Sequence, residues 1–176
     1  MNITLHRTLR VCVLAGALAL AIALVAAKDV SAAPSPALAG GATQISGVGF
    51  FADEETCDDP EGEGDNYALI LTGDLEGCLY TFILTQERSP SGTYRETGTE
   101  LFVGSYLGES GTFETTYRFE AKYEDVANLS GEIFGRCQHP IVKGSGTGIF
   151  EGVTGRLDFK DDIEAGNFPY RGHLRW

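Results

Sequence analysis

Polar and apolar residues alternate with a period of two over residues 115–123. One face of this segment carries Tyr117, Phe119, Ala121 and Tyr123, and the other carries Thr116, Arg118, Glu120 and Lys122. Such alternation is typical of a β-strand with one buried and one solvent-exposed face. The C-terminal residues repeat the pattern, with Tyr170, Gly172, Leu174 and Trp176 opposite Arg171, His173 and Arg175. Both segments are therefore predicted to be strands of an antiparallel sheet.

The same signal predicts strands at residues 45–52, 67–74, 78–85, 94–103, 131–135, 147–150 and 156–160. Turn sequences separate many of them, such as Ser-Pro-Ser-Gly at 89–92 and Gly-Glu-Ser-Gly at 108–111. No interior segment has a long helical apolar stripe. We therefore expect an all-β fold, in which a single antiparallel meander closes into an approximately eight-stranded barrel. A two-sheet sandwich is the structural alternative.

The N-terminal residues have the pattern of an export signal. His6, Arg7 and Arg10 precede an apolar run over residues 11–27, and small residues at cleavage-type spacing follow, ending at Ala32 and Ala39. We interpret residues 1–39 as a signal peptide and lead-in, cleaved near one of these alanines, and residues 40–176 as the β-barrel domain. The expected location is secreted or extracellular, and an uncleaved membrane anchor is the alternative.

The chain is acidic, with a formal net charge of -12. The predicted signal segment carries three basic residues and one acidic residue, so the exported part is more acidic still. Nucleic acids and anionic membrane surfaces attract basic proteins, so neither is an expected partner. The composition gives no indication of a cofactor, and the oligomeric state stays open.

Three cysteines follow the predicted signal: Cys57, Cys78 and Cys137. An oxidising compartment favours one disulfide and one remaining thiol. The preferred pairing joins Cys78 to Cys137, since each follows a glycine-bearing strand segment. The alternative joins Cys57 to Cys78 across a shorter loop.

An acidic segment follows the first predicted strand. Four of its carboxylates occupy alternate positions, at Asp59, Glu61, Glu63 and Asp65. Oxygen ligands at this spacing could wrap around a hard cation such as calcium. Runs of like charge are more often solvated loops, so the favoured interpretation is an exposed acidic loop without a metal.

The last predicted strand carries a small basic face, formed by Arg171, His173 and Arg175. If this face pointed into the barrel, it could bind an anion; the outward orientation is favoured, because the opposite face is apolar. No Gly-x-Ser-x-Gly sequence presents a nucleophilic serine, and only His139 and His173 remain after export. The sequence therefore identifies no catalytic residue.

Glycines are dense near the C-terminus, at Gly144, Gly146, Gly148, Gly152 and Gly155. Their spacing matches neither a dinucleotide fingerprint nor a P-loop, so tight turns and closure of the sheet are expected instead.

Residues 146–155, Gly-Thr-Gly-Ile-Phe-Glu-Gly-Val-Thr-Gly, resemble the Gly-Thr-Gly-x-Phe-x-x-Ala-x-Gly signature of dirigent proteins and of the allene oxide cyclase barrel group. Val153 stands where those families have a small alanine. The resemblance implies a calycin-like eight-stranded barrel and, through the families' activities, cyclisation of an epoxide or steering of radical coupling. No active-site motif of either family matches elsewhere. The whole chain is also similar to secreted proteins of actinobacterial type.

Two functions follow as hypotheses. The first is a non-enzymatic module, either structural or binding a small apolar or amphipathic ligand inside the barrel. The alternative is a cyclase or isomerase of the kind that the resemblance implies. Buried Glu, His or Arg side chains at an interior pocket would favour the enzyme. An interior filled by aromatic and aliphatic side chains would weaken both.

Overall fold

A computed structural model describes residues 41–53, 55–58 and 66–176 of the 176-residue chain. The strands in these ranges are β1 (Thr43–Phe51), β2 (Tyr67–Gly73), β3 (Leu75–Arg88), β4 (Thr93–Tyr106), β5 (Glu109–Asp125), β6 (Ser130–Pro140), β7 (Thr147–Gly148), β8 (Thr154–Lys160) and β9 (Phe168–Arg175). Each corresponds to a strand predicted from the sequence. Several are longer than predicted, because β3, β4 and β5 continue through polar positions where alternation fades.

The strands close into an antiparallel barrel. Hydrogen bonding runs in the order β4-β3-β2-β1-β9-β8-β6-β5, and β5 pairs again with β4. The two-residue β7 only extends the edge of β5, so eight strands form the wall. The predicted barrel is confirmed, and the sandwich alternative is wrong. The described residues contain no helix long and apolar enough to cross a membrane.

The antiparallel order gives the barrel two distinct ends. The last residues of β1, β3, β5 and β8 lie beside the first residues of β2, β4, β6 and β9, and we call this the open end. The opposite end, which we call the closed end, includes the tight β4–β5 turn. There Leu107 and Gly108 both have positive φ, as a two-residue hairpin turn of matching twist requires.

The glycine-rich segment, residues 144–155, covers the closed end. Phe150 is fully buried and contacts the rings of Phe102 and Phe113, at centroid distances of 5.7 and 5.0 Å. A side chain at Gly146 would collide with the backbone of Phe150, so the chain can approach this closely only at glycine. The indole nitrogen of Trp176 donates a 2.9 Å hydrogen bond to the Ile149 carbonyl. This hydrogen bond joins the C-terminal residue to the segment that covers the closed end.

The preferred disulfide pairing is wrong. Cys57 is bonded to Cys78, the alternative pairing, and Cys137 is a buried free thiol. Strand alternation explains the outcome: Leu79 faces the barrel core, so its neighbour Cys78 faces outward, whereas Cys137 belongs to the interior cluster. Two cysteines on opposite faces of the wall cannot bond. A disulfide is consistent with an extracellular protein.

Some predictions lie outside the described residues. The signal peptide, its cleavage sites and the alternative membrane anchor fall within residues 1–40. The calcium candidates Asp59, Glu61, Glu63 and Asp65 fall within residues 59–65. Secretion and calcium binding therefore stay predictions.

Candidate functional site: a polar cavity at the open end of the barrel

The open end of the barrel contains a cavity of about 440 Å³. Aromatic and aliphatic side chains form much of its lining: Phe51, Tyr67, Leu69, Tyr94, Phe119, Tyr123, Leu129, Phe159 and Phe168. The remaining lining residues are polar or ionisable: Gln86, Glu96, Glu100, Glu132, Cys137, His139 and Asp161. An apolar wall with a few convergent polar groups is the usual composition of a small-molecule site.

Two glutamates of β4 point into the barrel. Glu96 and Glu100 are 5% and 2% exposed, and they share the inward face of the strand with Tyr94, Gly98 and Phe102. Gly98 lies between them because the ring of Tyr117 fills the space that a side chain there would need. Neither glutamate was predicted from the sequence as a site residue. The signal was present, since both glutamates fall in phase with Tyr94 and Phe102.

Neighbouring strands provide hydrogen-bond donors for the Glu100 carboxyl group. The Thr81 hydroxyl donates from β3 at 3.3 Å, and the Thr115 hydroxyl donates from β5 at 2.5 Å. His139 of β6 places its Nδ1 atom 2.5 Å from Oε2 of Glu100. A buried carboxyl group is tolerated only with such partners, because an unpaired one would be strongly destabilising.

Glu96 is held in a similar way. The Tyr117 hydroxyl donates to it at 2.8 Å, the Gln86 amide donates at 3.2 Å, and the Tyr94 hydroxyl makes a third, short hydrogen bond. Burial, followed by the hydrogen bond to Glu96, raises the pKa of Tyr117 and of Tyr94 well above the ordinary tyrosine value. Both phenols therefore remain protonated donors at neutral pH.

His139 has one nitrogen engaged and one free. Its side chain is 4% exposed, and its ring lies between Tyr117 and Phe159, at centroid distances of 5.9 and 4.6 Å. Because Nδ1 faces Glu100, the other nitrogen, Nε2, is the one left for further bonding; it is buried and has no hydrogen-bond partner among the described residues. A ligand in the cavity could provide that partner. The contact with the carboxyl group fixes the orientation of the ring.

The free thiol of Cys137 also lines the cavity. Burial is the main cause that raises its pKa far above the usual thiol value, and the Glu100 carboxyl raises it further. The reactive form of cysteine is the thiolate, which this environment disfavours. Cys137 is therefore part of the cavity wall rather than a nucleophile.

A second carboxyl pair lies at the rim of the cavity. Burial, and then the neighbouring Glu132 carboxyl group, raises the pKa of Asp161 to about 7. Within the described part of the chain, no donor reaches the buried Oε1 atom of Glu132. A proton held between two close carboxyl groups is the usual way to relieve such a contact.

Aromatic rings surround the mouth of the cavity. Phe51 packs edge-on against Tyr67 and Phe168, and Tyr94 packs edge-on against Phe119 and Tyr123, with centroid distances between 4.9 and 6.3 Å. Exposed large hydrophobic side chains also concentrate at this end: Phe50, Phe51, Leu84, Leu129, Ile133, Phe134 and Ile163. At the closed end, the corresponding side chain among the described residues is Leu107.

The basic residues of β9 lie away from the cavity. Arg171 and Arg175 are exposed and His173 is half-buried, whereas Tyr170, Gly172 and Leu174 are buried. None of the three predicted residues lines the cavity, so the structure does not bring them together with Glu96, Glu100 and His139. Anion binding by Arg171, His173 and Arg175 stays a prediction about the outer surface.

Comparison with known proteins adds no family assignment. No protein-family model matches the chain, and no curated protein matches its sequence. What is established is an eight-stranded antiparallel barrel, consistent with calycin-like architecture, with a lined cavity at one end.

Proposed function

We propose that the barrel binds a small, largely apolar molecule at its open end, and that the molecule carries at least one hydrogen-bonding group. The cavity volume of 440 Å³ lies within the range of about 300–1,000 Å³ that is usual for small-molecule sites. The aromatic mouth suits an apolar body. One observation carries the proposal: His139 is 4% exposed, lines the cavity and has an unpartnered Nε2 atom.

The free-energy cost of that atom supports a role in binding. A buried polar atom without a partner destabilises a fold by about 1–3 kcal/mol. A phenylalanine at position 139 would keep the ring contacts with Tyr117 and Phe159 without this cost, but it would remove the Nδ1 contact from the buried Glu100 carboxyl group. That contact accounts for one ring nitrogen, and a bound molecule that completes the hydrogen bonding of Nε2 would account for the other.

The test uses N-phenyl-1-naphthylamine, a neutral fluorescent probe with an apolar body and one N–H group. We expect the unmodified protein to bind it, and His139→Phe to weaken binding about tenfold, the worth of one good hydrogen bond. The matched control is His173→Phe, which changes the other described histidine, outside the cavity. Absence of binding by the unmodified protein, or equal weakening by both variants, would contradict the proposal.

A second candidate, an isomerase or cyclase related to the allene oxide cyclase and dirigent barrels, is favoured by the contact between Glu100 and His139. An isomerase that moves a proton needs a group that accepts the proton from one atom of the substrate and returns it to another. His139 could do both at Nε2, while the 2.5 Å contact of its Nδ1 atom with Glu100 holds the ring in one orientation. Such a reaction requires no oxidant or reductant.

This candidate can be tested without the natural substrate. In 5-nitrobenzisoxazole, a base removes the ring C–H proton, the N–O bond breaks and the ring opens to 2-cyano-4-nitrophenolate as the single product. We expect the protein to accelerate this ring opening, and the acceleration to be lost in His139→Phe, reduced in Glu100→Gln and retained in His173→Phe. A rate no faster than that of an equal concentration of imidazole would contradict the enzyme candidate and leave the binding proposal intact.

A further inference from the structure

We propose that the ligand is an organic cation: a protonated amine whose charged group binds between Glu132 and Asp161 at the rim, with its apolar body among the aromatic rings of the mouth. This inference rests on the proposed function and adds the charge class of the ligand.

The charge of the lining supports the inference. Four carboxyl side chains line the cavity, from Glu96, Glu100, Glu132 and Asp161, and among the described residues neither Arg nor Lys lines it. The chain as a whole has a net charge of -12. A cavity with acidic groups and low-dielectric walls concentrates cations and repels anions. A ligand with its own carboxylate would find no Arg or Lys partner among the lining residues that the structure describes.

The two carboxyl pairs, Glu96 with Glu100 and Glu132 with Asp161, differ in whether the protein itself provides their hydrogen-bond donors. Glu96 and Glu100 each accept hydrogen bonds from neighbouring side chains of the protein. Oε1 of Glu132, by contrast, is buried and unpartnered in the described structure. An oxygen of Glu132 and one of Asp161 border the same small space above Gly135, where a side chain at position 135 would collide with both. Two acceptors facing one space need either a proton or a cation between them.

Two independent features point to a ligand at the same cavity. His139 lines the same cavity, and its buried Nε2 atom has no partner among the described residues, so the hydrogen bonding of the site is incomplete beyond the carboxyl pair as well. Tyr94, Phe119 and Tyr123 form an aromatic group on the cavity wall beside the rim. Aromatic faces attract organic ammonium groups, and the attraction is stronger in a partly desolvated site.

The test compares three naphthalene ligands of the same shape: 1-naphthylmethylamine, 1-naphthylmethanol and 1-naphthoate. Displacement of N-phenyl-1-naphthylamine at pH 8 and low salt gives their affinities. We expect the amine to bind about tenfold more tightly than the alcohol, as for one charge-assisted contact, and the carboxylate to bind most weakly.

The matched variants are Glu132→Gln with Asp161→Asn, which remove both rim charges, and Glu114→Gln with Glu151→Gln, which remove two exposed charges elsewhere. The first pair should abolish the preference for the amine and leave the affinity for the alcohol unchanged. The second pair should leave both unchanged. A further measurement uses the unmodified protein alone. Its preference for the amine over the alcohol should grow from pH 6 to pH 8, because the rim pair loses its proton in this range.

The outcomes separate the two proposals. If the alcohol binds but the amine binds no more tightly, or if the preference persists without the rim charges or does not change with pH, the charge inference is overturned and the binding proposal stands. If the probe binds but none of the three ligands displaces it, the charge inference is likewise overturned and the binding proposal stands. If the unmodified protein does not bind N-phenyl-1-naphthylamine at all, the binding proposal fails, and the charge inference fails with it.

Discussion

The two ends of the barrel are built from the same strands but have opposite chemistry. At the closed end, the rings of Phe102 of β4 and Phe113 of β5 stack with their centroids 4.8 Å apart, and the ring of Phe150 packs edge-on against Phe113. Two residues earlier on the inward face of β4 stands Glu100, and two residues later on β5 stands Thr115. A single step along each strand therefore separates a solid apolar core from a hydrogen-bonded polar cavity.

This difference indicates a division of roles. Each fully buried Phe or Leu at the closed end contributes about 1.5–3 kcal/mol to the free energy of unfolding. The open end buries carboxyl groups and an imidazole, whose hydrogen bonds mainly offset their own desolvation. We infer that the closed end stabilises the fold and that the open end holds the proposed site, and the following changes test that division.

The largest expected effect comes from the closed end. Phe113→Ala should lower the free energy of unfolding by about 3–5 kcal/mol, because it removes a fully buried ring and leaves a cavity. Urea unfolding measures the loss. The affinity for N-phenyl-1-naphthylamine, measured well below the unfolding transition, should stay the same. A loss below about 1 kcal/mol, typical of surface positions, would show that the closed end is not the stabilising core.

The outer disulfide should have the next largest effect. The bond between Cys57 and Cys78 closes a loop over a sequence separation of 21. Replacing both cysteines by serine should cost about 2–4 kcal/mol, chiefly by freeing the unfolded chain. Thermal unfolding of the variant, compared with the unmodified protein with and without reductant, measures this loss. If the variant were as stable as the oxidised protein, the disulfide would make no measurable contribution to stability.

The closed end could be predicted from the sequence to a greater extent than the open end. Alternation predicted the strands, and the glycine spacing predicted turns near the end that Phe150 seals. The cavity could not be predicted, because it depends on how β4, β5, β6 and β8 curve around one another. The inward direction of Glu96 and Glu100 could have been read from their phase with Tyr94 and Phe102, and the same parity argument would have separated Cys78 from Cys137.

A smaller loss is expected within the open end. Glu100→Gln keeps the shape of the side chain but replaces an acceptor oxygen with a donor group, which then faces Thr81, Thr115 or His139. The free energy of unfolding should fall by about 1–3 kcal/mol. Urea denaturation alongside Glu114→Gln, an exposed control, isolates the contribution of burial. Equal effects of the two variants would mean that the polar network contributes nothing measurable.

The last effect is a pH dependence at the rim, where the partial exposure of Asp161 to solvent reduces its size. The pKa of Asp161 is about 7 in the folded state and near 3.8 in the unfolded chain, so the stability associated with its proton is present below about pH 4 and lost as the pH rises through 7. The Glu132 carboxyl group helps to raise the pKa of Asp161, and the Asp161 carboxylate in turn raises the pKa values of Tyr123 and Cys137. Asp161→Asn should therefore raise the melting temperature relative to the unmodified protein more at pH 8 than at pH 4. A difference independent of pH would contradict the raised pKa.

The most direct test of the account places one reporter at each end of the barrel. The protein contains a single tryptophan, Trp176, whose indole N–H is bonded at the closed end, and His139 lies at the open end. Both can be followed by ¹⁵N nuclear magnetic resonance during titration with N-phenyl-1-naphthylamine. We expect the Nε2 resonance of His139 to shift to saturation while the Trp176 indole signal stays in place. Saturable binding that moves Trp176 and leaves His139 unchanged would contradict it.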